Sequence, residues 1–220
     1  MAASLREGAI GSFSTSLKTE AVARLGREDA RRLAKAEHAR LHSAGETFTL
    51  PSPSTISPDF SQLLSEHSTV GIYAGRASWF EVEQIETWLR SVAPTVLTTT
   101  FPRSNPDSFD FCAAAFTELV VSKPFGLYEP SASAAIAEPS LIFVPCTLAD
   151  HSGHRMGRGK GHFDRYLARH PGIFAVGVCH EDFLLEQFPA TWTEPHDQDM
   201  SALLTNTRFL NILNKGDRKL

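Results

Sequence analysis

Two apolar runs of strand length, Leu141-Ile142-Phe143-Val144-Pro145 and Ile173-Phe174-Ala175-Val176-Gly177-Val178-Cys179, do more than any other feature to limit how this chain can fold. Neither alternates apolar with polar residues, so each predicts a strand covered on both faces, as in the middle of a parallel sheet. The segment between them then forms a βαβ crossover, with a helix from about Gly161 to His170. The loop ahead of that helix falls at a strand's C-terminal end, where open α/β sheets bind their ligands.

That loop is unusual. Gly153-His154-Arg155-Met156-Gly157-Arg158-Gly159-Lys160-Gly161-His162-Phe163-Asp164-Arg165 sets two arginines and a lysine among four glycines and closes on an aspartate at the helix start. Glycines let backbone N–H groups approach an anion closely, cations neutralise it, and the helix turns its positive dipole end toward it. The pattern predicts a nucleotide phosphate site, with Asp164 placed to hold a magnesium ion that bridges the phosphates. It is not a Walker A loop, because Gly161 follows Lys160. Nor is it a dinucleotide fingerprint, because Gly157, Gly159 and Gly161 run G-x-G-x-G. The plainer alternative is a solvated basic turn between a strand and a helix.

The rest of the chain agrees with an α/β fold. Helical periodicity runs from about Leu17 to Leu41 and is interrupted at Gly26, with Gly45 as a stop. Leu50–Pro58 reads as a Pro/Ser loop and Asp59–Ser65 as a short helix. Thr69–Ala74 predicts a buried strand, Phe80–Val92 an amphipathic helix, and Thr95–Phe101 a further strand. Asp110–Val121 is ambiguous, although Phe109, Phe111 and Phe116 suggest a sheet segment covering part of a pocket. Residues 1–16 read as a flexible segment and 17–220 as one domain. With 220 residues, 42% of them hydrophobic, the chain can bury a core without staples.

A net charge of −4 argues against a general nucleic-acid binder, so the loop's basic character is local. Cys112, Cys146 and Cys179 sit singly in apolar segments and read as buried thiols in a reducing compartment. Neither a secretion signal nor a membrane-length apolar run is visible, and a cytoplasmic location is expected. His151 and His154 are spaced H-x-x-H without a completing ligand set, so both read as surface histidines.

The run Leu141–Pro145 followed by Gly153-x-Arg155-Met156-Gly157-Arg158-Gly159-Lys160-Gly161-His162-Phe163-Asp164-Arg165-x-Leu167 strongly resembles the 5-formyltetrahydrofolate cyclo-ligase family, also called methenyltetrahydrofolate synthetases. Gly71-Ile72-Tyr73 with Glu81-Val82, Phe125-Gly126-Leu127-Tyr128-Glu129-Pro130, and Pro195-His196-Asp197 are similar to further family segments in order and spacing. The resemblance implies a three-layer α/β/α sandwich with a mostly parallel central sheet. It implies conversion of 5-formyltetrahydrofolate to 5,10-methenyltetrahydrofolate, with ATP split to ADP and phosphate in the presence of Mg2+. By the same resemblance Arg155, Met156, Gly157, Arg158, Gly159, Lys160, Gly161, His162 and Phe163 contact ATP, Arg158 and Lys160 being catalytic. Glu81, Tyr73, Arg158 and His162 contact the folate, and Asp164 and Asp197 the magnesium. The implied partner is a small-molecule folate, with no nucleic acid and no membrane, and the chain acts as a monomer.

The chemistry wants such residues. An N-formyl group is an amide and a weak electrophile; phosphorylating its oxygen creates both an activated carbon and a phosphate leaving group. The protein must mainly position reactants and neutralise charge. Glu81 can accept from the donor-rich pterin edge, while Tyr73, Trp79, Phe80 and Phe111 are candidates to stack on it, or are core residues.

The chain also departs from the family. The usual N-terminal Lys-x-x-Leu-Arg is replaced by two alternatives with cations one helical turn apart, Arg27-Glu28-Asp29-Ala30-Arg31 and Arg31-Arg32-Leu33-Ala34-Lys35, with Lys18 and Arg6 as others. Paired tyrosines become His162-Phe163, a threonine becomes Gln84, and a Phe-Asp becomes Ala149-Asp150. These changes leave two other readings open: a binding paralogue without turnover, and an ATP-dependent enzyme on another N-formyl substrate.

Overall fold

The computed structural model of the chain describes residues 24–44, 48–52, 56–73, 82–93, 98–105, 109–122 and 127–212. Segment 1–16, residues 17–23 of the predicted N-terminal helix, Gly45, Trp79, Phe80, Glu81, Phe125 and Gly126 lie outside the described residues.

The strand Leu141–Pro145 behaves as its sequence demands. Leu141 and Phe143 enter one core and Ile142 and Val144 another, so the sheet is covered on both faces. Each such side chain contributes about 1.5–3 kcal/mol by leaving water.

In chain order the elements are α1 (Arg27–Ser43), α2 (Pro58–Ser65), β1 (Thr69–Ile72), α3 (Val82–Val92), β2 (Thr98–Ser104) and β3 (Phe109–Ala113). A short 3-10 turn at Phe116–Glu118 leads to β4 (Val120–Ser122) and β5 (Leu127–Glu129). Then come β6 (Leu141–Pro145), β7 (Leu148–Asp150), β8 (Arg155–Met156), α4 (His162–Arg169), β9 (Phe174–Val178) and β10 (Leu184–Leu185), and finally β11 (Ala202–Leu204) and β12 (Phe209–Asn211).

The main sheet has the order β12-β11-β9-β6-β1-β2-β3. Its five inner strands run parallel, and β12 and β3 pair antiparallel at the edges. From β1 the chain moves to β2 on one side, and from β6 through β9 to β11 on the other. The order therefore reverses between β1 and β6, and a crevice opens beyond their C-terminal ends. Phe60 and Leu64 of α2 and Ile85, Trp88 and Leu89 of α3 pack on one face; Tyr166 and Leu167 of α4 pack on the other. This is the expected α/β architecture, with helices on both faces of a mostly parallel sheet.

Boundaries differ for local reasons. Pro58 opens α2 one residue early, its missing N–H being harmless in a first turn. Gly26 does not interrupt a described helix; in extended conformation it precedes α1, whose first turn carries Glu28 and Asp29. The ambiguous stretch divides into β3, the 3-10 turn and β4.

A third core was not foreseen. Ala30, Ala34 and Leu41 of α1 pack against Leu148, Met156, Phe183 and Leu185, on a small sheet of order β10-β7-β8. Two small alanines let the helix backbone come close. Trp192 Nε1 donates to Leu25 O at 2.8 Å, and His38 stacks on Phe183 with ring centroids 4.0 Å apart. This unit fixes α1 beside the glycine loop. Among the described residues no helix is long and apolar enough to cross a membrane. All three cysteines are free and buried, as expected, and burial pushes the Cys146 thiol up to about 11.

Candidate active site

The glycine loop joins β8 to α4 at the sheet's crevice. Gly159 (φ +91°) and Gly161 (φ +63°) lie in the left-handed region, which costs other L-residues energy. The loop's carbonyls are occupied: Lys35 Nζ donates to Arg158 O at 2.8 Å, and Arg165 Nη2 to Lys160 O at 3.0 Å. Its amides are not. The N–H groups of Gly157, Gly159 and Gly161 donate to no other described residue. Capped carbonyls and available amides, with Lys160 exposed among them, turn hydrogen-bond donors and positive charge outward, the arrangement that suits an anion.

α1 supplies the wall opposite. Arg27, Arg31 and Lys35 are spaced i, i+4 and i+8, so they share one helix face flanking Ala30 and Ala34. Both N-terminal alternatives left open by the sequence thus lie on one face of α1. A β-carbon at Gly159 would stand 3.3 Å from Arg31 Nη1, and Arg31 also pairs with Glu28. Arg155, on β8, has a side chain only 5% exposed and reaches Asp164 Oδ1 through Nη2 at 2.7 Å. The Nε groups of Arg27, Arg31 and Arg155 are all buried and without a hydrogen-bond partner. Each guanidinium has a carboxylate partner, but each keeps one buried donor unused, which is costly to leave unmade.

The two carboxylates expected to contact magnesium come together here, each against an arginine. Asp197 accepts from Arg27 through both oxygens, at 2.7 and 2.8 Å, and from Glu194 N at 2.8 Å. Burial raises the pKa of Asp197, but hydrogen bonds from Arg27 and the Glu194 amide outweigh it and hold the carboxyl below its usual range. Asp164 Oδ1 takes Arg155 and the Gln198 N–H at 3.2 Å. Glu194, His196 and Asp197 place ligand atoms within 4.8 Å of one another, but Arg27 already bridges Glu194 and Asp197. A dication would face two guanidinium charges, at about 4 kcal/mol per pair of unit charges roughly 4 Å apart in a medium of dielectric constant about 20. As arranged, these residues do not fit a resident magnesium ion.

On the other side of the loop stands a wall of rings. Tyr73, just beyond β1, lies 5.7 Å from Phe163, and Phe163 lies 5.0 Å from Phe109. Phe109 stacks on Tyr166 at 5.0 Å and meets His162 at 6.4 Å. Burial raises the Tyr73 hydroxyl's pKa, with Arg158 opposing and Glu129 reinforcing, so both charged residues act on this corner. His162 is exposed, and burial with the charges of Arg165 and Lys160 lowers its pKa, which favours neutral imidazole. Phe111 is a core residue, 1% exposed. Glu81, Trp79 and Phe80 lie outside the described residues, as does the side chain of Gln84.

Sequence reasoning missed what holds this together. Asp150 is wholly buried and accepts from Ser152 N, His154 N, His154 Nδ1 and Phe188 N at 2.7–3.0 Å. The turn before β8, and so Arg155, is pinned by it. His154, read as a surface residue, is a partner of this carboxylate; their i, i+4 spacing was the available hint.

A model of the 5-formyltetrahydrofolate cyclo-ligase family matches residues 62–206. A 5-formyltetrahydrofolate cyclo-ligase of Mycolicibacterium smegmatis is 40% identical over 100 residues, covering 43% of this chain and 50% of that protein. A probable 5-formyltetrahydrofolate cyclo-ligase of Schizosaccharomyces pombe is 25% identical over 111 residues, covering 43% and 53%. The chain thus spans about half the length of these relatives. Solved structures of 5,10-methenyltetrahydrofolate synthetases share the fold: that of Aquifex aeolicus at a TM-score of 0.57 and 20% identity, covering 94% of both chains, and that of Mycoplasma pneumoniae at 0.54 and 12%, covering 83% of this chain and 99% of that one. With two thirds of its length matched by the family model, this chain belongs to the 5-formyltetrahydrofolate cyclo-ligase family.

Proposed function

We propose that this protein converts 5-formyltetrahydrofolate to 5,10-methenyltetrahydrofolate at the expense of ATP. The observation that carries the reading is the glycine loop with its carbonyls capped and its amides unused, facing three arginines whose buried Nε groups have no partner. Beside it the ring wall offers apolar faces for a flat heterocycle.

In this reading the formyl oxygen attacks the γ-phosphorus and the bond to ADP breaks. N10 then attacks the activated carbon and gives up its proton, and phosphate departs with the former formyl oxygen. Arg158 and Lys160 stabilise charge on the transferring group, and the Gly157, Gly159 and Gly161 amides cradle it. Arg155, Met156 and Phe163 complete the ATP segment. Tyr73 and Phe163 border the pterin, His162 stands where loop and ring wall meet, and Glu81 binds the pterin edge. ATP arrives as its magnesium complex, so the metal enters with the substrate.

The test is a spectrophotometric assay with 5-formyltetrahydrofolate and magnesium ATP, following the methenyl chromophore in the near ultraviolet. ATP-dependent absorbance that Lys160→Ala abolishes is the expected result. Folded protein that binds both ligands yet yields no absorbance would replace the enzyme with a binding paralogue.

A further inference from the structure

Arg27 and Arg155 reach the site already neutralised. Both terminal nitrogens of Arg27 are taken by Asp197, and Nη1 lies 3.2 Å from Glu194 as well. Nη2 of Arg155 is taken by Asp164. These are the donors that a phosphate would need, since carboxylate and phosphate present similar paired oxygens to a guanidinium fork. The side chains of Arg27, Asp164 and Asp197 are 12%, 14% and 15% exposed, so the pairs are shielded yet open to an entering ligand. Without an anion, guanidinium groups this buried would be uncompensated, and the carboxylates supply that anion.

Resting on the reading that the loop binds ATP phosphates, we propose that Asp197 and Asp164 are internal stand-ins for phosphate, which the ligand displaces from Arg27 and Arg155. Binding is then an exchange of partners at two guanidinium groups, and the released carboxylates turn to water. No bond is made or broken covalently. The exchange has a sign that a metal-contact role does not share. A displaced competitor weakens anion binding, so removing its charge tightens the site; removing a metal contact would loosen it.

The experiment is calorimetric titration of the full chain in EDTA with two probes, ATP and inorganic tripolyphosphate. Asp197→Asn keeps the shape of the side chain and removes its charge. It is expected to bind both probes about threefold to tenfold more tightly than wild type. The gain should vanish in Asp197→Asn combined with Arg27→Met, because the effect runs through that guanidinium. Asp164→Asn gives an independent second case of the same sign through Arg155, should the first variant not fold. Affinity unchanged or weakened in both carboxylate variants overturns the inference. Tripolyphosphate that shows the gain while ATP fails to bind wild type would sustain the exchange and remove the nucleotide reading. If neither probe binds wild type, both fall.

Discussion

The two walls of the crevice are built by opposite means. The ring wall is a continuation of the sheet's own core: Phe109 is 3% exposed, with Phe111, Phe163 and Tyr166 within 5.4 Å of its centroid. The basic wall is assembled from afar, by a helix whose Arg27 meets an aspartate 170 residues on. One is fixed by packing, which neither salt nor pH disturbs directly. The other is held by charge, which both disturb. In the proposed function, gripping a flat heterocycle and letting a triphosphate come and go would use both kinds of wall.

The largest expected effect tests the first half of that contrast. Phe109→Ala removes a ring from the centre of the wall and should cost about 3–5 kcal/mol of stability in urea unfolding. A loss under about 1 kcal/mol would mean that the rings merely adjoin one another. Next comes Lys160→Ala, on the exposed loop. Its turnover should fall by about 10²–10³-fold, the scale for losing one donor to a developing charge, while stability stays within about 0.5 kcal/mol of wild type. Unfolding of that variant at ambient temperature would contradict the idea that the loop binds without supporting the fold.

His38 sharpens the comparison from the helix side. It lies between Thr147 O, at 3.0 Å from Nε2, and the Phe183 ring; burial, opposed by the Thr147 hydrogen bond and helped by the charges of Arg158 and His180, pulls its pKa down to about 4. In the unfolded chain histidine titrates near about 6.5. The unfolded state therefore binds the proton first as pH falls, and stability is lost between about pH 6.5 and 4, by up to about 3 kcal/mol. His38→Phe should flatten that stretch of the pH–stability curve. If the slope survives, the helix is not anchored through a neutral imidazole.

How much of this could be read beforehand follows from the same contrast. The βαβ unit and the loop were legible because their signals are local: unbroken apolar runs, glycine spacing, a helix start. The strands β7, β8 and β10 are two or three residues long, too short for any periodicity to show. The loop between Pro145 and Gly161 therefore concealed a second sheet and the seat of α1. Asp164 and Asp197 were expected to contact magnesium and each meets an arginine, because an aspartate beside an arginine reads the same in sequence as one beside a metal. Its partner is a matter of tertiary contact. The two cationic spacings on α1 read as alternatives, since nothing local says which helix face turns inward. Ala30 and Ala34, small and unremarkable in a list, settle that by being the residues buried.

The smallest expected effect concerns the pair that closes the basic wall. Arg27 and Asp197 make two short hydrogen bonds in a partly screened place, and a charged pair of this kind contributes about 1–2 kcal/mol. A double-mutant cycle with Arg27→Met and Asp197→Asn in urea unfolding should return a coupling of that size. Because Asp197 titrates below its unfolded value, the coupling is complete above about pH 4 and is lost as pH falls through the folded pKa. It should also shrink in about 1 M salt, where the screening length is about 3 Å. The Phe109→Ala cost measured under the same acid and salt should hardly change. If both respond alike, the walls are not held by different forces. If only the cycle responds, the basic wall is a part of the crevice that an incoming charge can rearrange.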